Sequence, residues 1–202
     1  MRATARTPWI SSTDAGAVLR FLDLYEHMRG GTIDVVLAGK GGGLAGQIDA
    51  RNFIIENEPR LKSLVAAAPA PNQPSLNQAA KRQINTSRAR FDRAFAMVDK
   101  SPDSLRLERG VIRGAEIGAT FQGMLYDANG RISMTGTFMP AYGINRMFGE
   151  IPLIGQILGN GRERGLFGIT YKLTGDAKNP QLQVNPISAI APGIFRSIFE
   201  FR

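Results

Sequence analysis

In three stretches of this chain, near residues 31–55, 115–138 and 165–184, apolar side chains fall at every second position around glycine-containing turns. A period of two puts alternate side chains on opposite faces, so each stretch reads as a β-hairpin with one face to bury. Ile33, Val35 and Leu37 alternate with Thr32, Asp34 and Val36, and after AGKGGG the alternation resumes at Leu44, Gly46 and Ile48 and runs towards Phe53. Ile117, Ala119, Phe121, Gly123 and Leu125 precede Asn129-Gly130, a strong hairpin turn signal. The return strand sets Ile132, Met134, Gly136 and Phe138 against Arg131, Ser133, Thr135 and Thr137. Phe167, Ile169, Tyr171 and Leu173 share a face before the Asp176–Pro180 turn, and Leu182 and Val184 return. Phe91, Phe95, Met97, Leu105 and Leu107 extend the meander back to residue 90. The hairpins have no fixed repeat period.

Helical spacing is confined to short pieces. Ser11-Ser12-Thr13-Asp14 can cap a helix carrying Val18, Leu19, Leu22 and Tyr25 and stopped by Gly30-Gly31, which predicts a helix over about 13–29. Pro59 opens a second one with Leu61, Leu64 and Val65. Residues 66–74 contain three prolines and read as a loop; 75–88 read as an exposed, weakly helical segment. Pro152 divides two short helical pieces, 141–149 and 152–158. Pro192 opens a last amphipathic helix with Ile194, Phe195, Ile198 and Phe199, which either docks on the domain or enters a membrane interface. The resulting fold class is mainly β with short helices (α+β). A flexible segment at 1–11 is expected to precede one domain over 12–202, with 66–90 as an exposed insertion.

Composition removes most chemistry. The absence of Cys excludes thiolate metal sites, cysteine nucleophiles and disulfides, and a single His, His27, excludes multi-histidine metal sites. Gly41, Gly43 and Gly46 match a dinucleotide fingerprint in spacing, but a strand follows where that motif needs a helix, so they read as a hairpin turn. His27 falls on the last turn of the predicted first helix, where a cation suits the helix dipole. Glu56 and Glu58 sit where acids favour a helix start. Asn85-Thr86-Ser87 is a bare glycosylation sequon. No catalytic residue, metal site or cofactor is expected. The formal charge of +8 suits an anionic partner. Arg82, Arg88, Arg90, Arg93, Arg162 and Arg164 read as a solvated face or an attraction to lipid head groups, because nucleic-acid surfaces interleave such charges with exposed aromatics. No run reaches the ~18 apolar residues of a membrane span, and MRATARTPWISSTDAG has no secretory core. The apolar strand faces need a cover: sheet packing, self-association, or a ligand in an open trough.

The block from Gly136 to the end resembles the C-terminal signature of AsmA-like envelope proteins, nearest the YhdP-type branch. The matching features are Gly136-Thr137 with Pro140, Asn145, IPLIG at 151–155, Gly165-Leu166, Gly175 with Asn179-Pro180, and VNPISAIAPG at 184–193. DAGAVLRFL, GGTIDVVLAG and RNFIIENEPRLKSLV agree upstream. The resemblance implies an antiparallel meander curled into an open groove, capped by short amphipathic helices, whose apolar lining carries phospholipid between inner and outer membranes. It also implies a periplasmic location, with an inner-membrane anchor upstream, and no enzymatic residues. Expected partners are phospholipid, a membrane surface or outer-membrane protein, and the remainder of a longer chain. Alternation marks Ile132, Met134, Phe138, Ile169, Tyr171 and Leu173 as candidates for the lining. The rival expectation is a protein-interaction module with no lipid in transit.

Overall fold

The computed structural model describes residues 9–40, 42–66, 84–140 and 169–185. Ten strands form one antiparallel sheet: β1 Trp9–Ser12, β2 Met28–Arg29, β3 Thr32–Lys40, β4 Gly43–Glu56, β5 Arg88–Ser101, β6 Ser104–Arg113, β7 Ile117–Tyr126, β8 Arg131–Pro140, β9 Ile169–Asp176 and β10 Pro180–Asn185. The order is β1-β3-β4-β5-β6-β7-β8-β9-β10, with β2 on β4, and the sheet is open, since β1 and β10 do not pair. The described residues are therefore mainly antiparallel β with two short helices, α1 Ala15–Phe21 and α2 Pro59–Ala66. Asp127 fixes the β7–β8 turn by accepting from the backbone N–H groups of Asn129 and Arg131, both at 2.9 Å. Gly130 supplies the left-handed residue, φ 69°, that this turn requires.

The sheet begins earlier and the first helix ends sooner than the sequence suggests. Trp9–Ser12 pair with Ile33–Val36, so residues 9–11 belong to the sheet and are not part of a flexible segment. Asp14 caps α1 through the Ala17 N–H at 2.8 Å. After Phe21 the chain turns at Asp23, φ 53°, and the N–H groups of Leu24 and Tyr25 both point back to Leu19 O. Leu22 and Tyr25 have helical spacing, but Tyr25 serves a tertiary contact described below. The stretch read as the helix's last turn instead contains His27 and then β2. Residues 84–88 are also not helical: Ile84 is buried and β5 starts at Arg88, so 88–90 belong to the sheet and not to an insertion. The expected helical pieces at 141–149 and 152–158, the loop from 67 to 74, residues 75–83 and the helix opened by Pro192 lie outside the described residues.

One face of the sheet carries a continuous apolar cluster. It runs from Ile33 on β3 through Ala50, Phe53 and Phe91 to Ile117, Ala119, Phe138 and Ile169, with Tyr171, Leu182 and Val184 packed against it. Phe53 and Phe91 stack at 5.5 Å between centroids. Ala50 and Phe53 are three residues apart yet both buried, because Asn52 takes a left-handed backbone, φ 54°, and resets the alternation. Val18, Leu19 and Tyr25 bring α1 onto the same cluster. Lys178 in the β9–β10 turn meets Asp23, which follows α1, at 2.8 Å although the two are 155 positions apart. Both side chains are exposed, so the pair adds little stability, but it shows the last hairpin approaching the first helix.

Candidate functional site

Register brings all six lining candidates onto the apolar face. Met134 lies opposite Leu173, Gly136 opposite Tyr171, and Phe138 opposite Ile169; Ile132 lies opposite Gly175. Leu182 and Val184 on β10 continue the face beyond Leu173 and Tyr171. Ile132, Met134, Phe138 and Ile169 are buried, while Tyr171 and Leu173 are half-buried. Of the six, the partly accessible ones thus lie on β9 next to β10, and Val35, Ile48 and Ile112 on the same face are half-buried as well. At the other end of β8 the alternation fails, because Phe138 and Met139 point to opposite sides and both are buried.

Tyr171 gives the β9 part of the face a polar handle. Its ring crosses Gly136 and its hydroxyl donates to Thr120 O on β7 at 2.9 Å. Burial pushes its pKa well above the ordinary 10.0. Phe121 likewise lies against Gly110 of β6, so rings on neighbouring strands fill the space that these glycines leave.

A second polar cluster sits where β4 meets α2. Buried Glu58 accepts from the Tyr25 hydroxyl at 2.8 Å, from Arg60 Nε at 2.5 Å and from the Arg60 backbone N–H at 3.0 Å. His27 Nε2 is 4.0 Å from the same carboxylate and 3.4 Å from Glu26, while its Nδ1 is 2.9 Å from Glu56 O. Neither the Tyr25–Glu58 pairing, 33 positions apart, nor the place of His27 beside it has a local sequence signal. The carboxylate's acceptor sites are filled by Tyr25 and Arg60, so the cluster braces α2 and the segment after α1 on β4. Burial alone raises the Glu58 pKa, but the hydrogen bonds and charge of Arg60, with Tyr25, outweigh it and hold the group below its ordinary 4.5. Tyr25 moves the opposite way: burial, then the charge and hydrogen bond of Glu58, push it far above 10.0.

A folded pKa below the unfolded one means that Glu58's contribution is fully present above about pH 4.5 and is lost as pH falls through the folded value. Asp49, lowered from 3.8 by Arg51 and Arg93 against the effect of burial, acts in the same direction. Glu58→Gln is expected to cost about 2 kcal/mol at neutral pH and to flatten the acid limb of a stability-versus-pH curve. An acid limb identical to that of the parent protein would contradict this assignment.

Among the described residues no group of three His, Asp or Glu side chains is placed to hold a metal ion, and no helix is long and apolar enough to cross a membrane. The contact candidates Ile194, Phe195, Ile198 and Phe199 lie outside the described residues, as do Arg82, Arg162 and Arg164. Gly42 and Gly43 stand at the β3–β4 connection, Gly43 being the first residue of β4, and Gly46 is within that strand, so the glycine fingerprint belongs to a hairpin. No family model matches this chain, and neither a curated protein nor a solved structure matches it.

Proposed function

We propose that this chain is the lipid-binding C-terminal part of an AsmA-like envelope protein, holding phospholipid by its acyl chains and performing no chemistry on it. In this reading it supports lipid movement between inner and outer membranes, and so outer-membrane integrity, in the periplasm behind an upstream anchor. The observation that carries the reading is the pairing of an unclosed sheet with one apolar face continuous from β3 to β10. Acyl chains make no directional demands, so such a face suits them without a polar constellation. Contact with acyl chains would remove apolar area from water at ~25 cal/mol per Å². The polar clusters support a non-enzymatic role, since Glu58 and Tyr171 are engaged in bracing.

The test is lipid extraction from chain purified without detergent washing. Phospholipid is expected to co-purify, and Leu173→Lys with Leu182→Lys is expected to reduce it several-fold, while Thr135→Lys on the opposite face leaves it unchanged. Equal lipid in all three preparations, or none in any, overturns the proposal.

The interaction-module reading keeps one observation in its favour. Among the described residues β10 is at the sheet's edge, and Pro180–Asn185 include no charge to discourage strand addition. Under that reading no lipid co-purifies and cross-links form from β10 to protein.

A further inference from the structure

The face opposite the apolar cluster is not uniformly polar. Cross-strand register places Arg51 opposite Arg93, and Arg93 opposite Arg113, so three guanidinium-bearing residues form a row across β4, β5 and β6. Like charges directly opposite on neighbouring strands are destabilising, and a merely solvated face has no use for that cost. Asp49 relieves part of it: its carboxylate takes Arg51 Nη2 at 2.9 Å, and Arg93 Nε and Nη2 at 3.0 and 2.9 Å. The same contacts hold both arginines in place. Arg113 has no carboxylate partner among the described residues, and neither has Arg90, whose carbonyl lies against Gly114 just beyond Arg113.

Two positions further along each strand comes a mixed row, with Asp34 opposite Asp49 and Asp49 opposite Phe95. Two positions beyond that comes an apolar row: Trp9 opposite Val36, Val36 opposite Gln47, and Gln47 opposite Met97. Trp9, Val36 and Met97 are exposed, Trp9 by 69%. The arginine row and the apolar row run parallel, ~13 Å apart at the strand rise of ~3.3 Å per residue.

We propose that this outer face docks on a bilayer surface carrying anionic phospholipids. The arginines meet phosphates, and Trp9, Val36 and Met97 enter the boundary between head groups and acyl chains. Arginine at the phosphate level and tryptophan at the boundary is the distribution that such an interface favours. Nucleic acid fits less well. Arg93 lies 5.7 Å over the ring of Phe95, which occupies the aromatic nearest the arginines, and Val36 and Met97 have no part in base stacking. Asp34, and Glu108 opposite Met97, are exposed on the same face and temper the attraction, so binding is weak, peripheral and dependent on salt. The docking does not depend on lipid occupying the inner face.

Trp9 is the sole tryptophan, so the protein carries its own probe. The complete chain is titrated with phosphatidylcholine vesicles containing or lacking phosphatidylglycerol, while Trp9 emission is followed. A blue shift is expected with phosphatidylglycerol only, and it is expected to disappear at high salt. Arg90→Gln with Arg113→Gln, which removes two charges that hold no carboxylate among the described residues, is expected to lower partitioning about 25-fold, or about fivefold per arginine. No shift, an equal shift on pure phosphatidylcholine, partitioning unchanged in the double variant, or a larger response to a single-stranded oligonucleotide would each overturn the proposal. Because the inner face is tested by lipid co-purification, failure here leaves that result standing.

Discussion

Phe138→Ala is expected to cost about 3–5 kcal/mol in urea unfolding, the range for emptying a buried aromatic site. Phe138 is 1% exposed and lies opposite Ala119 on β7 and Ile169 on β9, so it joins three strands of the apolar face. Ala119 is too small to fill the vacated space, and β8 cannot shift inward easily because Met139, on its other side, is fully buried too. The variant also bears on function. Under the proposed lipid-binding reading acyl chains would fill a cavity made in this face, so added phospholipid is expected to restore part of the lost stability. A loss below about 1 kcal/mol without lipid would mean that the strands close over the site.

Gly136→Ala is the second large effect, and it acts by crowding. A methyl group there would collide with the backbone oxygen of Thr120 and would stand 2.6 Å from the Tyr171 hydroxyl oxygen. The first contact is with backbone, so the β7–β8 ladder itself must part. The second displaces the ring whose hydroxyl bonds Thr120 O at 2.9 Å. Overpacking of this kind costs about 1–3 kcal/mol, and the broken hydrogen bond adds about 1 kcal/mol. Tyr171→Phe removes only that second part, so thermal unfolding of the two single variants separates them. Equal losses would show that the collision with Thr120 is relieved without cost.

These two sites mark how far the sequence could be read. The alternation of Ile132, Met134, Gly136 and Phe138, and of Ile169, Tyr171 and Leu173, announced both strands and their common face, because a period of two is local. Asn129-Gly130 announced the turn and Pro59 the second helix for the same reason. The first helix ends sooner than its spacing predicts because Leu22 and Tyr25 keep that spacing after the helix has ended, and Tyr25 is spent on Glu58, a partner far along the chain. The phase reset at Asn52 was illegible, since a left-handed asparagine leaves no pattern that alternation can detect. The arginine row was illegible too. Arg93 and Arg113 become neighbours only through the register of β5 on β6, which a bulge between Phe95 and Met97 adjusts. Alternation places the six lining candidates on one face, as the register of β8 and β9 does, and the resemblance to AsmA-like proteins gives that face a proposed cargo.

Site-specific photocrosslinking in cells tests the central claim most directly, with the probe placed in turn at Met134, Ile169 and Leu173 of this protein. Thr135, exposed on the opposite face beside Lys172, is the control position. The lipid-groove account predicts phospholipid adducts at Leu173, where the face is half-buried, with Met134 and Ile169 labelled to a lesser degree and Thr135 not at all. Normal expression with no lipid adduct at any apolar position, or adducts at Thr135 as strong as those at Leu173, would contradict it.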